Sequence, residues 1–78
     1  MYYVYLLKLS NDDFYAGSTK DLKSRFEKHK SGEVPHTAKF RPHRLVWYAA
    51  FETKEKAAQF EDYLKTGSGK ALRNKRLV

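Results

Sequence analysis

Residues 1–19 read MYYVYLLKLSNDDFYAGST, and the parsing of this stretch decides the fold. Val, Leu and Tyr dominate residues 2–9, a composition that suits a pleated, half-buried strand. Ser10-Asn11-Asp12-Asp13 is a run of turn formers whose short polar side chains bond nearby backbone. Phe14 to Gly17 then forms a second short strand, so the stretch predicts a β-hairpin. If Leu9 pairs with Phe14, Tyr5 lies opposite Ser18 and Tyr15 points with Val4 and Leu6. A slip or bulge of one residue brings Tyr15 to the face of Tyr5, because strand side chains alternate with period two. The sequence leaves both registers open.

Working outward, Ser18 or Thr19 can cap a helix over 20–30, with Asp21 adding negative charge to its first turn. Leu22 and Phe26 are its inward pair, and Ser31-Gly32 stops it. Residues 31–43 form a basic, polar connection long enough to be functional. Leu45-Val46-Trp47-Tyr48-Ala49-Ala50-Phe51 is the clearest strand; the sequence does not fix whether it lies centrally or at an edge, and its near-continuous apolar run favours the centre, both faces covered. Thr53 can cap a second helix over 54–66, Gly67 ends it, and Ser68 starts a short final helix through Leu77. The order β-β-α-β-α-α predicts a small sheet covered by helices, an α/β chain of α+β type in one domain over 1–78.

Sixteen Lys and Arg stand against nine Asp and Glu, for a formal charge of +7. That balance draws polyanions, nucleic acid foremost and an anionic membrane surface less so, without reading bases. The absence of cysteine excludes disulfides and thiolate zinc sites and fits a reducing, cytoplasmic setting. YYVYLLKLS is too short and too soon interrupted by charge for a signal peptide, and no apolar run approaches a membrane span.

Three sets of residues invite chemistry. In TKEKAAQFEDYLK, Ala57, Phe60 and Leu64 share one helical arc, and Glu61 falls inside it. A carboxylate there is costly unless it is paired or metal-bound, so Glu61 either has a job, reaches solvent, or pairs with Lys65 one turn on. Arg25 and His29, four apart, share a helix face that Asp21 extends; they can hold a phosphate and move a proton, or form a solvated face with a structural His. Tyr5 and Tyr15 are either core residues or phenols that orient water and phosphate. Gly17, at the mouth of the first helix, would let a phosphate approach closely. GSGK at 67–70 lacks P-loop spacing; His36 and His43 are expected to be exposed.

Taken together, YVY at 3–5, YAG at 15–17, Arg25 and His29 in DLKSRFEKH, and Glu61 in FEDYLK resemble the GIY-YIG nuclease superfamily, and TGSGKALRNKRL resembles the end of its small stand-alone bacterial members. The resemblance covers the whole chain, though YVY carries Tyr3 where the motif has glycine, and YAG carries Ala16 where it has isoleucine. It implies a three-stranded antiparallel β-sheet flanked by helices, and hydrolysis of DNA phosphodiesters with low sequence specificity, in repair or recombination. Tyr5 would be the general base, its phenol pKa lowered by nearby cations, with His29 able to assist or substitute. Tyr15 would position water and phosphate, and Arg25 would clamp the scissile phosphate. Glu61 would be the sole carboxylate on Mg²⁺, with Mn²⁺ able to replace it. Backbone contacts away from the cut are expected from Lys39, Arg41, Arg44, Lys65, Lys70, Arg73, Lys75 and Arg76. Asn74 is a loose counterpart of a late site asparagine. Branched or single-stranded DNA and RNA stay open as substrates. The rival reading is a non-catalytic nucleic-acid-binding module on the same scaffold.

Overall fold

The hairpin forms with the slipped register. Tyr2–Lys8 (β1) and Phe14–Thr19 (β2) pair antiparallel, with Lys8 opposite Phe14, Leu7 opposite Tyr15 and Tyr5 opposite Gly17. The turn decides this. Leu9 N–H donates to the Asp13 carbonyl (2.8 Å), Asp12 N–H donates to the Leu9 carbonyl (3.0 Å), and Asp12 adopts φ 66°, a left-handed conformation that Asp tolerates better than most residues. Leu9 is thereby spent in the turn. Tyr15 consequently lies on the Tyr5 face.

This computed structural model describes residues 1–77, and the side chains of Arg76 and Leu77 lie outside the description. Arg44–Phe51 (β3) pairs antiparallel with the other side of β1, giving the order β2-β1-β3. The apolar run at 45–51 is therefore an edge strand, not the central one. β1 is the centre: Val4, Leu6 and Leu7 are fully buried, while Tyr48 stays exposed on β3. β3 packs Trp47 and Phe51 on one face of the sheet and Leu45 on the other, so an edge strand can carry as many apolar letters as a central one.

The helices are Leu22–Lys30 (α1), Pro35–Ala38 (α2), Lys54–Leu64 (α3) and Gly67–Leu72 (α4), followed by a π-helical turn over Arg73–Leu77. Asp21, rather than Ser18 or Thr19, caps α1 by accepting from Ser24 N–H at 3.0 Å, while Thr19 Oγ1 accepts from Asp21 N–H. Pro35 opens α2 inside the expected connection, where its missing N–H costs nothing. Thr53 caps α3 as its spacing predicts. Gly67 does not end α3; it opens α4 beneath a Thr66 cap, and Gly69 follows because a Cβ there would collide with the Tyr63 carbonyl.

Two apolar clusters sandwich the sheet. Val4, Leu6, Ala57 and Leu64 pack with Trp47, Phe51 and Phe60 beneath α3. On the other face Tyr5, Leu7 and Leu9 pack with Tyr15, Leu22, Phe26, Phe40 and Leu45. Among the described residues no helix is long and apolar enough to cross a membrane.

Candidate functional site

Tyr5 is only 1% exposed, and its phenol crosses β2 at Gly17. A Cβ on Gly17 would lie 2.5 Å from Tyr5 Oη and 2.6 Å from Cζ. The glycine therefore makes room for the phenol, not for a phosphate as the sequence suggested. Gly17→Ala is expected to push the ring aside and cost roughly 1–3 kcal/mol. Urea denaturation measures the cost, and loss of the Tyr5–His29 contact in NMR spectra reports the displacement.

The displaced oxygen would leave a hub. Tyr5 Oη is 2.8 Å from His29 Nε2 and accepts from Arg25 Nε at 3.3 Å. His29 is fully buried, and its Nδ1 lies 2.8 Å from Thr37 Oγ1, which reaches the Val34 carbonyl at 3.4 Å. One proton arrangement satisfies every member. Thr37 donates to Val34, His29 Nδ1–H donates to Thr37, and Tyr5 donates to the bare His29 Nε2. Tyr15 stands close enough to act on the Arg25 guanidinium, and its ring packs edge-on against His29 at 5.2 Å.

Burial is the main force on the two central groups. It raises the Tyr5 phenol pKa, with the Arg25 hydrogen bond opposing. The expected lowering of Tyr5 is thus reversed in the protein alone, because desolvation of a phenolate outweighs one nearby guanidinium. The same burial, with the charges of Arg25 and His43, lowers His29 to about 4. His29 is accordingly a neutral acceptor at pH 7.

This has a consequence for folding. Unfolded, His29 takes a proton near pH 6.5; folded, only near 4. Between those values the unfolded chain binds more protons, so stability is present in full above pH 6.5 and is lost as pH falls toward 4, by up to about 3 kcal/mol. Urea titrations across that window should show the slope, and His29→Gln should flatten it.

Glu61 sits on α3 with its side chain 19% exposed, and its Oε2 accepts from Lys65 Nζ at 2.8 Å. Its charge raises the Tyr5 phenol pKa only as the weakest of several causes, and the carboxylate is paired one turn along its own helix, on the element that packs against Val4 and Leu6 rather than against Tyr5. Among the described residues no three His, Cys, Asp or Glu side chains form a cage for a metal ion. A single partly buried carboxylate is a sparse donor set, of the kind that would hold only a hard cation keeping most of its waters, provided Lys65 yields.

The structure thus brings Tyr5, Tyr15, Arg25 and His29 together, while Glu61 stands on α3, which packs on the other face of the sheet. It does not bring Asn74 to the Tyr5 cluster. Asn74 accepts from Arg73 Nε (3.3 Å), and the Arg73 guanidinium stacks on Phe14 at 4.6 Å. Phe14 neighbours Tyr15 on a strand and so points to the opposite face. Arg41 is exposed, but its guanidinium bonds the carbonyls of Ala38 (3.0 Å) and Lys30 (3.5 Å). Lys39, Arg44, Lys70 and Lys75 are exposed, Lys65 is tied to Glu61, and the Arg76 side chain lies outside the described residues. His43 is half-buried: its Nε2 donates to the Thr37 carbonyl at 2.7 Å, and its ring lies edge-on 5.9 Å from His29. His36 is exposed, its ring edge-on to Tyr15 at 6.3 Å. Sequence reasoning missed Thr37, which sits in a segment without periodicity.

Residues 1–76 match the family described as the GIY-YIG catalytic domain. Among similar proteins are UPF0213 proteins from two Staphylococcus aureus strains, each 38% identical over 66 residues, spanning 83% of this chain and 80% of theirs. The solution NMR structure of a UPF0213 protein from Bacillus halodurans superposes with a TM-score of 0.61 at 34% identity, covering 99% of this chain and 87% of that one.

Proposed function

The chain belongs to the GIY-YIG catalytic-domain family, and from that premise we propose that it binds nucleic-acid backbone at the Tyr5 cluster and hydrolyses a phosphodiester there. One observation carries this: a single phenolic oxygen is held between the Arg25 guanidinium and a neutral, buried imidazole. That is a route for a proton beside a fixed positive charge. Arg25 uses Nε on Tyr5 and keeps its other donors for phosphate oxygens, where negative charge builds. Tyr5 Oη takes a proton from the attacking water as its own proton passes to His29 Nε2. The water oxygen bonds to phosphorus and the bond to the leaving oxygen breaks. Mg²⁺ or Mn²⁺ held by Glu61 would supply Lewis acidity at the phosphate and leaving oxygen. Neither central group is strongly ionisable alone, since the phenol is held neutral and the imidazole is a weak base. The relay therefore favours concerted transfer over a standing phenolate.

A second reading has its own observation. Glu61 is already neutralised by Lys65 at 2.8 Å, which suits a site that binds backbone without cutting it. A panel of plasmid, flap, junction, single-stranded DNA and RNA, with Mg²⁺ and with Mn²⁺, separates the two. Cleavage that chelation abolishes supports hydrolysis. Salt-sensitive binding with no cut product under any metal selects the binding module.

A further inference from the structure

We propose that Tyr48 and Tyr3, on the same sheet face as the Tyr5 cluster, form a stacking platform for an unpaired base, making the ligand single-stranded nucleic acid. This rests on the backbone-binding reading above and narrows its substrate. Tyr48 is 56% exposed although it sits mid-strand. It lies directly opposite Tyr5 across β1 and β3, so both project from one face. Tyr3 is two residues from Tyr5 on that face, and its ring meets Tyr48 at 6.4 Å and 60°. With Leu22 and Leu45 the two tyrosines line an open groove of about 790 Å³, and Lys20 and Lys23 stand along it.

The chemistry of the groove selects its occupant. An exposed tyrosine face stacks on any base, which is how single strands are held without sequence preference. A duplex hides its base faces and cannot use such a platform. The two lysines supply the charge that a strand's phosphates require. Asp21 also borders the groove, its carboxylate accepting from Ser24 N–H at 3.0 Å as the cap of α1; its single negative charge is outnumbered by those of Lys20 and Lys23. Tyr3 and Tyr5 are about 7 Å apart along the strand, roughly two steps of a stacked single strand. A base on the platform and a phosphate at the Tyr5–Arg25 pair can therefore belong to one strand, about two nucleotides apart.

The test is equilibrium binding of the full chain, by fluorescence anisotropy in EDTA so that nothing is cut. The probes are a labelled single strand of about twelve nucleotides, the same strand with abasic sites through its centre, and a blunt duplex. Wild type should prefer the base-bearing strand over the abasic one by roughly 5- to 100-fold. Tyr48→Ala should erase that preference without changing abasic affinity, and Tyr48→Phe should retain it. A single-stranded RNA of the same sequence offers the same base faces; tighter binding than its own abasic form supports stacking there too and identifies which strand is preferred. Equal binding of base-bearing and abasic strands by wild type overturns the platform while leaving backbone binding intact. No measurable binding to any probe overturns the reading on which the platform rests.

Discussion

Replacing Tyr5 by Phe removes one oxygen and, if the cluster is hydrolytic, is expected to lower single-turnover cleavage by roughly 10²- to 10⁴-fold with little change in nucleic-acid affinity. Among the described residues this oxygen is the hydrogen-bonded link between Arg25 and His29; without it the water's proton loses that path to the imidazole. The phenyl ring still fills the space over Gly17, so packing is kept. A folding cost accompanies the change. His29 Nε2 is buried and would lose its donor, a loss of roughly 1–3 kcal/mol. Arg25, only half-buried, can turn to water. Cleavage rate, anisotropy and urea unfolding on one preparation separate these effects. A variant that cuts within a few-fold of wild type would remove Tyr5 from the proton path.

The same residue shows how far the sequence could be read. Strand composition and the SNDD break marked the hairpin, and the 3.6-residue period exposed Glu61 as an acid on an apolar arc. The register was beyond reach, because Asp12 turning left-handed and Leu9 closing the turn are local geometry with two near-equal alternatives. That single step set whether Tyr15 joined Tyr5 or faced away. The position of β3 was open for a different reason, although its apolar run favoured the centre: apolar content reports burial, and an edge strand with side chains packed on both faces looks like a central one. Gly17 was singled out correctly and explained wrongly, since a glycine signals close approach without saying by what. Glu61 had three open readings, function, solvent or pairing with Lys65, and the structure shows the pairing at 2.8 Å, with a weak raising effect on the Tyr5 phenol. Function and pairing are compatible, because a lysine 55% exposed can leave at small cost.

That compatibility makes Glu61→Gln the sharpest discriminator between cutting and mere binding. Gln keeps the shape and removes the charge. The fold should hardly change, because a partly exposed pair four residues apart on a helix contributes only about 0.3–0.5 kcal/mol. Under the hydrolytic reading, divalent-dependent cleavage should fall by on the order of 10³-fold or more, since several kcal/mol of charge stabilisation at the phosphate leave with the ion. Under the binding-only reading there is no cleavage to lose, and affinity should hold or rise as a negative charge near the backbone disappears. Lys65→Met supplies the complementary test. Freeing the carboxylate should shift the Mg²⁺ dependence of cleavage to lower concentration, because the ion no longer competes with the ammonium at Oε2. If Glu61→Gln cuts as wild type does, or if Lys65→Met leaves the Mg²⁺ dependence where it was, Glu61 does not hold the ion and the hydrolytic reading loses its metal.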